Sequence, residues 1–168
     1  MNLKRTMTEE GEPILKMSAQ PARNEIILLL AEDDDGHAEL IIECLSDTGV
    51  KNRIIRFRDG EEVMDFFTNG RSGQEGYQDG QAYLLLLDIR MPKLDGIQVL
   101  ERVKQDHKLK TIPIIMLTTT DDPKEVGRCH ELGCNNYITK PVAFKSFVET
   151  LHHLGLFLLI IQVPTVNR

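Results

Sequence analysis

Residues 83–103 read YLLLLDIRMPKLDGIQVLERV. Tyr83–Leu87 is a run of apolar residues without alternation, as expected of a strand covered on both faces; a strand with one wet face would alternate. The run ends at Asp88, and a loop containing Pro92 follows. Over Asp95–Asp106 apolar residues return at helical spacing, with Ile97, Leu100 and Val103 on one face. A buried strand leading into an amphipathic helix is the repeating unit of a parallel sheet, and Tyr83–Leu87, the most apolar strand, belongs at its centre.

The same alternation extends in both directions. Upstream, Ile26–Ala31 is a buried strand and Ala38–Asp47 a helix with Leu40, Ile41, Cys44 and Leu45 inward, capped by Asp34 or Asp35. Arg53–Phe57 is a second strand, and Glu61–Thr68 a helix carrying Val63, Met64, Phe66 and Phe67. Gly70–Gln81, with four glycines, is a flexible connector. Downstream come strand Ile112–Leu117, helix Pro123–Leu132 stopped by Gly133, strand Asn136–Thr139, and helix Ala143–Leu154 with Phe144, Phe147, Val148 and Leu151 inward. Five such units predict an α/β, doubly wound parallel sheet with helices on both faces and right-handed crossovers. Ligands of such sheets sit beyond the carboxyl ends of the strands.

Length and charge bound the function. The 168 residues suit one domain, and a hydrophobic fraction of 41% supplies a core. The net charge of −6 argues against direct nucleic-acid binding, which draws on clustered Lys and Arg. No stretch reaches the length of a membrane span, and no secretory signal is visible. Cys44, Cys129 and Cys134 form no CxxC pair and read as small apolar residues in a reducing, cytoplasmic setting. Composition divides the chain into a flexible tail over 1–24, a domain over 25–155 and an apolar extension over 156–168.

Four strand ends carry chemistry: Glu32-Asp33-Asp34-Asp35, Asp88, Thr118-Thr119-Thr120, and Lys140-Pro141. Taken singly, Asp34 or Asp35 is a helix cap and Lys140 a solvated lysine. Together they surround one crevice. Clustered carboxylates repel unless a cation intervenes, and oxygen-only donors beside solvent suit a hard ion that keeps its water, Mg²⁺. A lysine and a threonine on the same crevice suit an anion. That combination accommodates a phosphoryl group carried on an aspartate.

These motifs, Glu32-Asp33, LLDIRMPKLDG around Asp88, PIIMLTT from Pro113 and YITKP from Tyr137, resemble the receiver domain of two-component response regulators over about Glu25 to Gly155. The resemblance implies a flavodoxin-like fold with strand order 2-1-3-4-5. It implies that Asp88 accepts a phosphoryl group from a sensor histidine kinase. Glu32, Asp33, Asp88 and the main-chain carbonyl of Arg90 would then hold Mg²⁺, with Glu32 acting mainly through water. Thr118 and Lys140 would contact the phosphoryl oxygens. Thr118 and Tyr137 would form the switch, Arg90 and Thr120 would tune the lifetime of the acyl phosphate, and Pro141 would follow a cis peptide bond. Such a protein is a phosphoacceptor rather than an enzyme.

The end of the chain departs from a minimal domain. After Gly155 come Leu156, Phe157, Leu158, Leu159, Ile160 and Ile161. An exposed apolar run of this size packs back on its own domain or against another chain. The latter predicts a homodimer through Leu156, Phe157, Leu158 and Ile160, or a docking segment for the kinase. The pattern is also similar to stand-alone receivers that partner bacterial phytochromes and related sensor kinases. The expected output is protein–protein contact or a phosphorelay. Three other functions compete. A phosphorylation-independent adapter would leave the acidic pocket unused. A Mg²⁺-dependent aspartyl-phosphate phosphatase would want a second Asp where Arg90 stands. A nucleotide-binding domain would need a glycine-rich phosphate loop after the first strand, and none is present.

Overall fold

A computed structural model describes residues 25–69 and 76–165, and the backbone of 6–7 and 13–14. The strands are β1 (Ile27–Ala31), β2 (Ile54–Phe57), β3 (Tyr83–Leu87), β4 (Ile114–Thr118) and β5 (Asn136–Thr139). The helices are α1 (Asp35–Asp47), α2 (Gly60–Asn69), α3 (Gly96–Gln105), α4 (Pro123–Glu131) and α5 (Phe144–Ile160), with a 3₁₀ turn at Leu109–Thr111. All pairings between these strands are parallel, in the order β2-β1-β3-β4-β5. The expected order 2-1-3-4-5 is therefore present, with β3 at the centre.

Strand periodicity divides the core into two layers. Leu28, Leu30, Leu84, Leu86, Ile115 and Leu117 face α1 and α5. Leu29, Ala31, Leu85, Leu87, Ile114 and Met116 face the opposite way, onto α2, α3 and Cys129 of α4. Neither face of β1, β3 or β4 is left to solvent, which is why their sequences do not alternate. Register also fixes the site. Leu87 pairs with Ala31 on one side and Met116 on the other, so β1, β3 and β4 end close together.

Local sequence explains the boundaries. Asp34 caps α1 by accepting the His37 N–H at 2.7 Å. Asp95 and Gln98 form a reciprocal capping box on α3. Gly133, with φ of 96°, ends α4. Gly96 is required by packing: a Cβ there would lie 2.0 Å from the Asp88 carbonyl oxygen.

Several expectations are corrected. Helix α5 runs through Gly155 to Ile160, so the division at 155 falls inside a helix. A Cβ on Gly155 would meet the hydroxyl oxygen of Thr48, the residue that follows α1, at 2.0 Å, so the missing side chain lets α5 approach the end of α1. Phe144 stands at the start of α5 and is exposed rather than inward. No cis peptide bond occurs among the described residues, so Lys140–Pro141 is trans. Trans is the lower-energy X–Pro isomer, and Lys140 reaches the strand ends from it. The expected flexible tail over 1–24 lies outside the described residues, except that Thr6–Met7 pairs antiparallel with Pro13–Ile14. The glycine-rich connector is described only from residue 76.

Candidate functional site

The four chemical strand ends meet. Glu32 and Asp33 follow β1, Asp88 follows β3, Thr118 ends β4 and Lys140 follows β5. The Lys140 N–H donates to the Thr118 carbonyl at 2.7 Å, aligning the ends of β4 and β5. The Lys140 ammonium donates to Glu32 Oε2 and, at 3.2 Å, to Asp88 Oδ2. All three side chains are buried. Buried ions persist where charge and hydrogen bonds compensate desolvation, and here one ammonium serves two carboxylates. Burial pushes the Glu32 carboxyl above its ordinary pKa, with Lys140 opposing the shift.

Asp33 is exposed on the solvent side of this cluster. Oxygens of Glu32, Asp33 and Asp88 all lie within 4.8 Å of one another. Three carboxylates, two buried and one open to water, fit a hard, partly hydrated divalent cation and offer nothing to a soft one. The Arg90 N–H points back to Asp88 Oδ1 at 3.4 Å, placing the loop whose Arg90 carbonyl was expected to complete the set.

The Thr118 hydroxyl is buried without a hydrogen-bond partner, and its residue is fully buried. Such an oxygen is costly unless a ligand or another state supplies a partner. Half-buried Tyr137 donates its hydroxyl to the Thr120 carbonyl at 3.0 Å, and burial raises its pKa to about 12. Thr120 Oγ1 accepts the Asp122 N–H at 3.4 Å, in the turn leading to α4. The Arg90 side chain turns to α4, where Nη2 donates to Glu125 Oε1 at 2.6 Å.

Some contributors were not singled out from sequence. Glu125 is one. Asp59 and Lys93 are others: Lys93, at φ of 62°, places Nζ 2.5 Å from Asp59 Oδ2, fastening the loop after Asp88 to the start of α2. Arg56 donates to the Glu32 carbonyl from Nη2 at 3.1 Å and steadies the end of β1. Of the expected interface residues, Leu156, Phe157 and Ile160 are exposed, whereas Leu158 is buried in this chain's own core. The apolar end thus packs in cis on one side and remains open on the other.

A doubly wound sheet in this strand order, with an acidic crevice, a buried lysine and an unpartnered threonine at adjacent strand ends, is the flavodoxin-like fold of receiver domains. The chain belongs to the response regulator receiver domain family of two-component signalling, whose model matches residues 28–152. Response regulator Rcp1 of Synechocystis is 33% identical over 132 residues, covering 78% of this chain and 87% of that protein. Its Mn²⁺-bound crystal structure superposes with a TM-score of 0.75 at 31% identity, over 83% of this chain and 99% of that one. A receiver domain from Rhodospirillum rubrum matches at a TM-score of 0.78 and 40% identity, over 84% and 99% of the two chains. The phosphorylated cyanobacterial phytochrome response regulator RcpA matches at 0.73 and 29% identity, over 83% and 98%. Receiver domains bind Mg²⁺ or Mn²⁺ in an acidic pocket, and this chain has an acidic cluster of Glu32, Asp33 and Asp88. Among the described residues no helix is long and apolar enough to cross a membrane.

Proposed function

We propose that this chain is a cytoplasmic response regulator whose receiver domain accepts a phosphoryl group on Asp88 from a sensor histidine kinase. The observation that carries the reading is the pairing of the buried Glu32–Lys140–Asp88 cluster with the orphaned Thr118 hydroxyl. An Asp88 oxygen would attack phosphorus while the bond from phosphorus to the kinase's histidine nitrogen breaks, leaving the electron pair on the imidazole. Lys140 and Thr118 would donate to the new phosphoryl oxygens. A Mg²⁺ held by Glu32, Asp33, Asp88 and the Arg90 carbonyl would neutralise charge on the transferring group. Arg90 and Thr120, each two residues past a site residue, would set the lifetime of the acyl phosphate.

Phosphorylation adds charge at Asp88 and gives Thr118 a partner, biasing the β4–α4 segment and Tyr137 toward a second arrangement. The protein would act as a phosphoacceptor rather than as an enzyme on small substrates. Output would pass through protein contacts or a relay. The exposed side of α5, with Leu156, Phe157 and Ile160, would pair with a second copy. Likeness to the phytochrome regulator RcpA makes a phytochrome-type sensor kinase the favoured donor. The test is intact mass: acetyl phosphate with Mg²⁺ is expected to add one phosphoryl group to wild type and none to Asp88→Asn. Unchanged wild-type mass with acetyl phosphate and with a phosphorylated kinase domain overturns the reading. Partner binding and signalling unaltered by Asp88→Asn would mark a phosphorylation-independent adapter instead.

A further inference from the structure

Arg90 and Glu125 join the loop that follows Asp88 to the start of α4. Arg90 lies in the loop leaving Asp88, Glu125 in the first turn of α4, and their contact is 2.6 Å. The Arg90 side chain is 63% exposed, so water competes for it and the pair is weak. Glu125 is poorly served: its Oε1 takes Arg90, while its Oε2 is buried with no partner. Two features adjoin this contact. The Arg90 N–H is turned toward Asp88, two residues away. The Thr120 carbonyl, just before α4, holds the Tyr137 hydroxyl.

A phosphoryl group on Asp88 would present several charged oxygens to the loop that carries Arg90. A guanidinium binds such a group through parallel charged hydrogen bonds, whereas Glu125 offers it one oxygen. We propose that Glu125 is a positioning residue that holds Arg90 in reserve: α4 and the phosphorylated Asp88 compete for one guanidinium, and phosphorylation draws Arg90 off α4. Once released, Glu125 has lost the counter-ion it has among the described residues, while one oxygen is already buried and unpaired. It turns to water, and the first turn of α4 loosens beside the Tyr137–Thr120 contact. The ion pair therefore opposes phosphorylation and couples the chemistry at Asp88 to α4. This rests on Asp88 being the phosphoacceptor.

The test uses fluoroberyllate with Mg²⁺ as the phosphoryl mimic, on the full chain, with affinity read by calorimetry because the sequence has no tryptophan. Glu125→Gln keeps the side chain's shape and removes its charge. It is expected to tighten fluoroberyllate binding roughly two- to fivefold, the span of an exposed ion pair. Arg90→Met is expected to weaken binding, and adding Glu125→Gln to Arg90→Met to change nothing further. Amide exchange over 119–126 supplies the readout that a merely structural pair would not move. In wild type it should quicken when fluoroberyllate binds, whereas in Glu125→Gln, where the pair is already gone, fluoroberyllate should quicken it no further. An unchanged affinity in Glu125→Gln, or an equal gain in the Arg90→Met background, overturns the proposal. If wild type itself fails to bind fluoroberyllate while still binding Mg²⁺, the assignment of Asp88 has failed instead.

Discussion

The Thr118 hydroxyl is the residue on which the resting protein spends stability. It is fully buried and unpartnered, and such a group costs about 1–3 kcal/mol. Thr118→Val fills nearly the same volume without that penalty, so its urea midpoint is expected to rise by the equivalent of about 1 kcal/mol. The same variant should lose affinity for fluoroberyllate, making it more stable and less responsive at once. Glu32 gives a second prediction. Its carboxyl is raised by burial, so it takes up a proton at a higher pH than an exposed glutamate would, and the pocket then loses a negative charge. Mg²⁺ is expected to raise the melting temperature at neutral pH by mass action. That gain should fade on acidification starting above about pH 4.3, the value of an ordinary glutamate, and should be absent in Asp88→Asn. Glu32, Asp88 and Thr118 were legible because each ends an apolar run, and Lys140 because it follows the last short strand and precedes a proline. Glu125 was not: it lies 35 residues from Arg90 on an amphipathic helix, where a glutamate carries no mark of its partner.

Among the elements, α2 shows how a cap can also tie down a loop. Asp59 accepts the Glu62 N–H at 2.9 Å and pairs with Lys93. The Lys93 contact, helped by that N–H, holds the Asp59 carboxyl below its usual range. A group with a depressed folded pKa stabilises above its unfolded value and loses that contribution as pH falls through the folded one. Asp59→Asn is therefore expected to cost about 1 kcal/mol at neutral pH, and its urea midpoint should converge with wild type below about pH 4. Helix α5 shows where a local signal misled. The helix was expected to end at Leu154, just before a glycine, and glycine is common beyond helix ends. Yet the buried residues Phe147, Leu151, Leu154 and Leu158 keep helical spacing straight through it, so periodicity was the better guide. What periodicity could not reveal was Thr48, whose contact explains the glycine. Gly96→Ala, facing a backbone oxygen that cannot swing aside, is expected to cost at least about 2 kcal/mol by thermal or urea unfolding.

At the scale of the whole molecule, order and layering were legible because unalternating strands separated by amphipathic helices admit few other arrangements. The partition of the chain's end between cis packing and exposure was not, since it depends on which α5 residues find room beneath the sheet. Leu158 does; Leu156, Phe157, Leu159 and Ile160 do not. If that exposed side joins two copies, Phe157→Glu with Ile160→Glu should yield a monomer by analytical ultracentrifugation while leaving the melting temperature of the monomeric fold intact. A protein already monomeric in wild type would remove the basis for that pairing.

Ala82 is a place where distant parts of the chain meet. Its carbonyl accepts the Ile27 N–H at 2.9 Å, and it forms an isolated antiparallel bridge with Thr165. The first strand thus starts beside the segment that follows the last helix, and the described fold is nearly a closed ring. A short linker from 165 to 25 would complete that ring, and it could be reopened at exposed Lys51, beside the positive-φ turn at Gly49. The same closeness would let the domain be spliced into a surface loop of another protein as a single cassette, entering and leaving through one doorway.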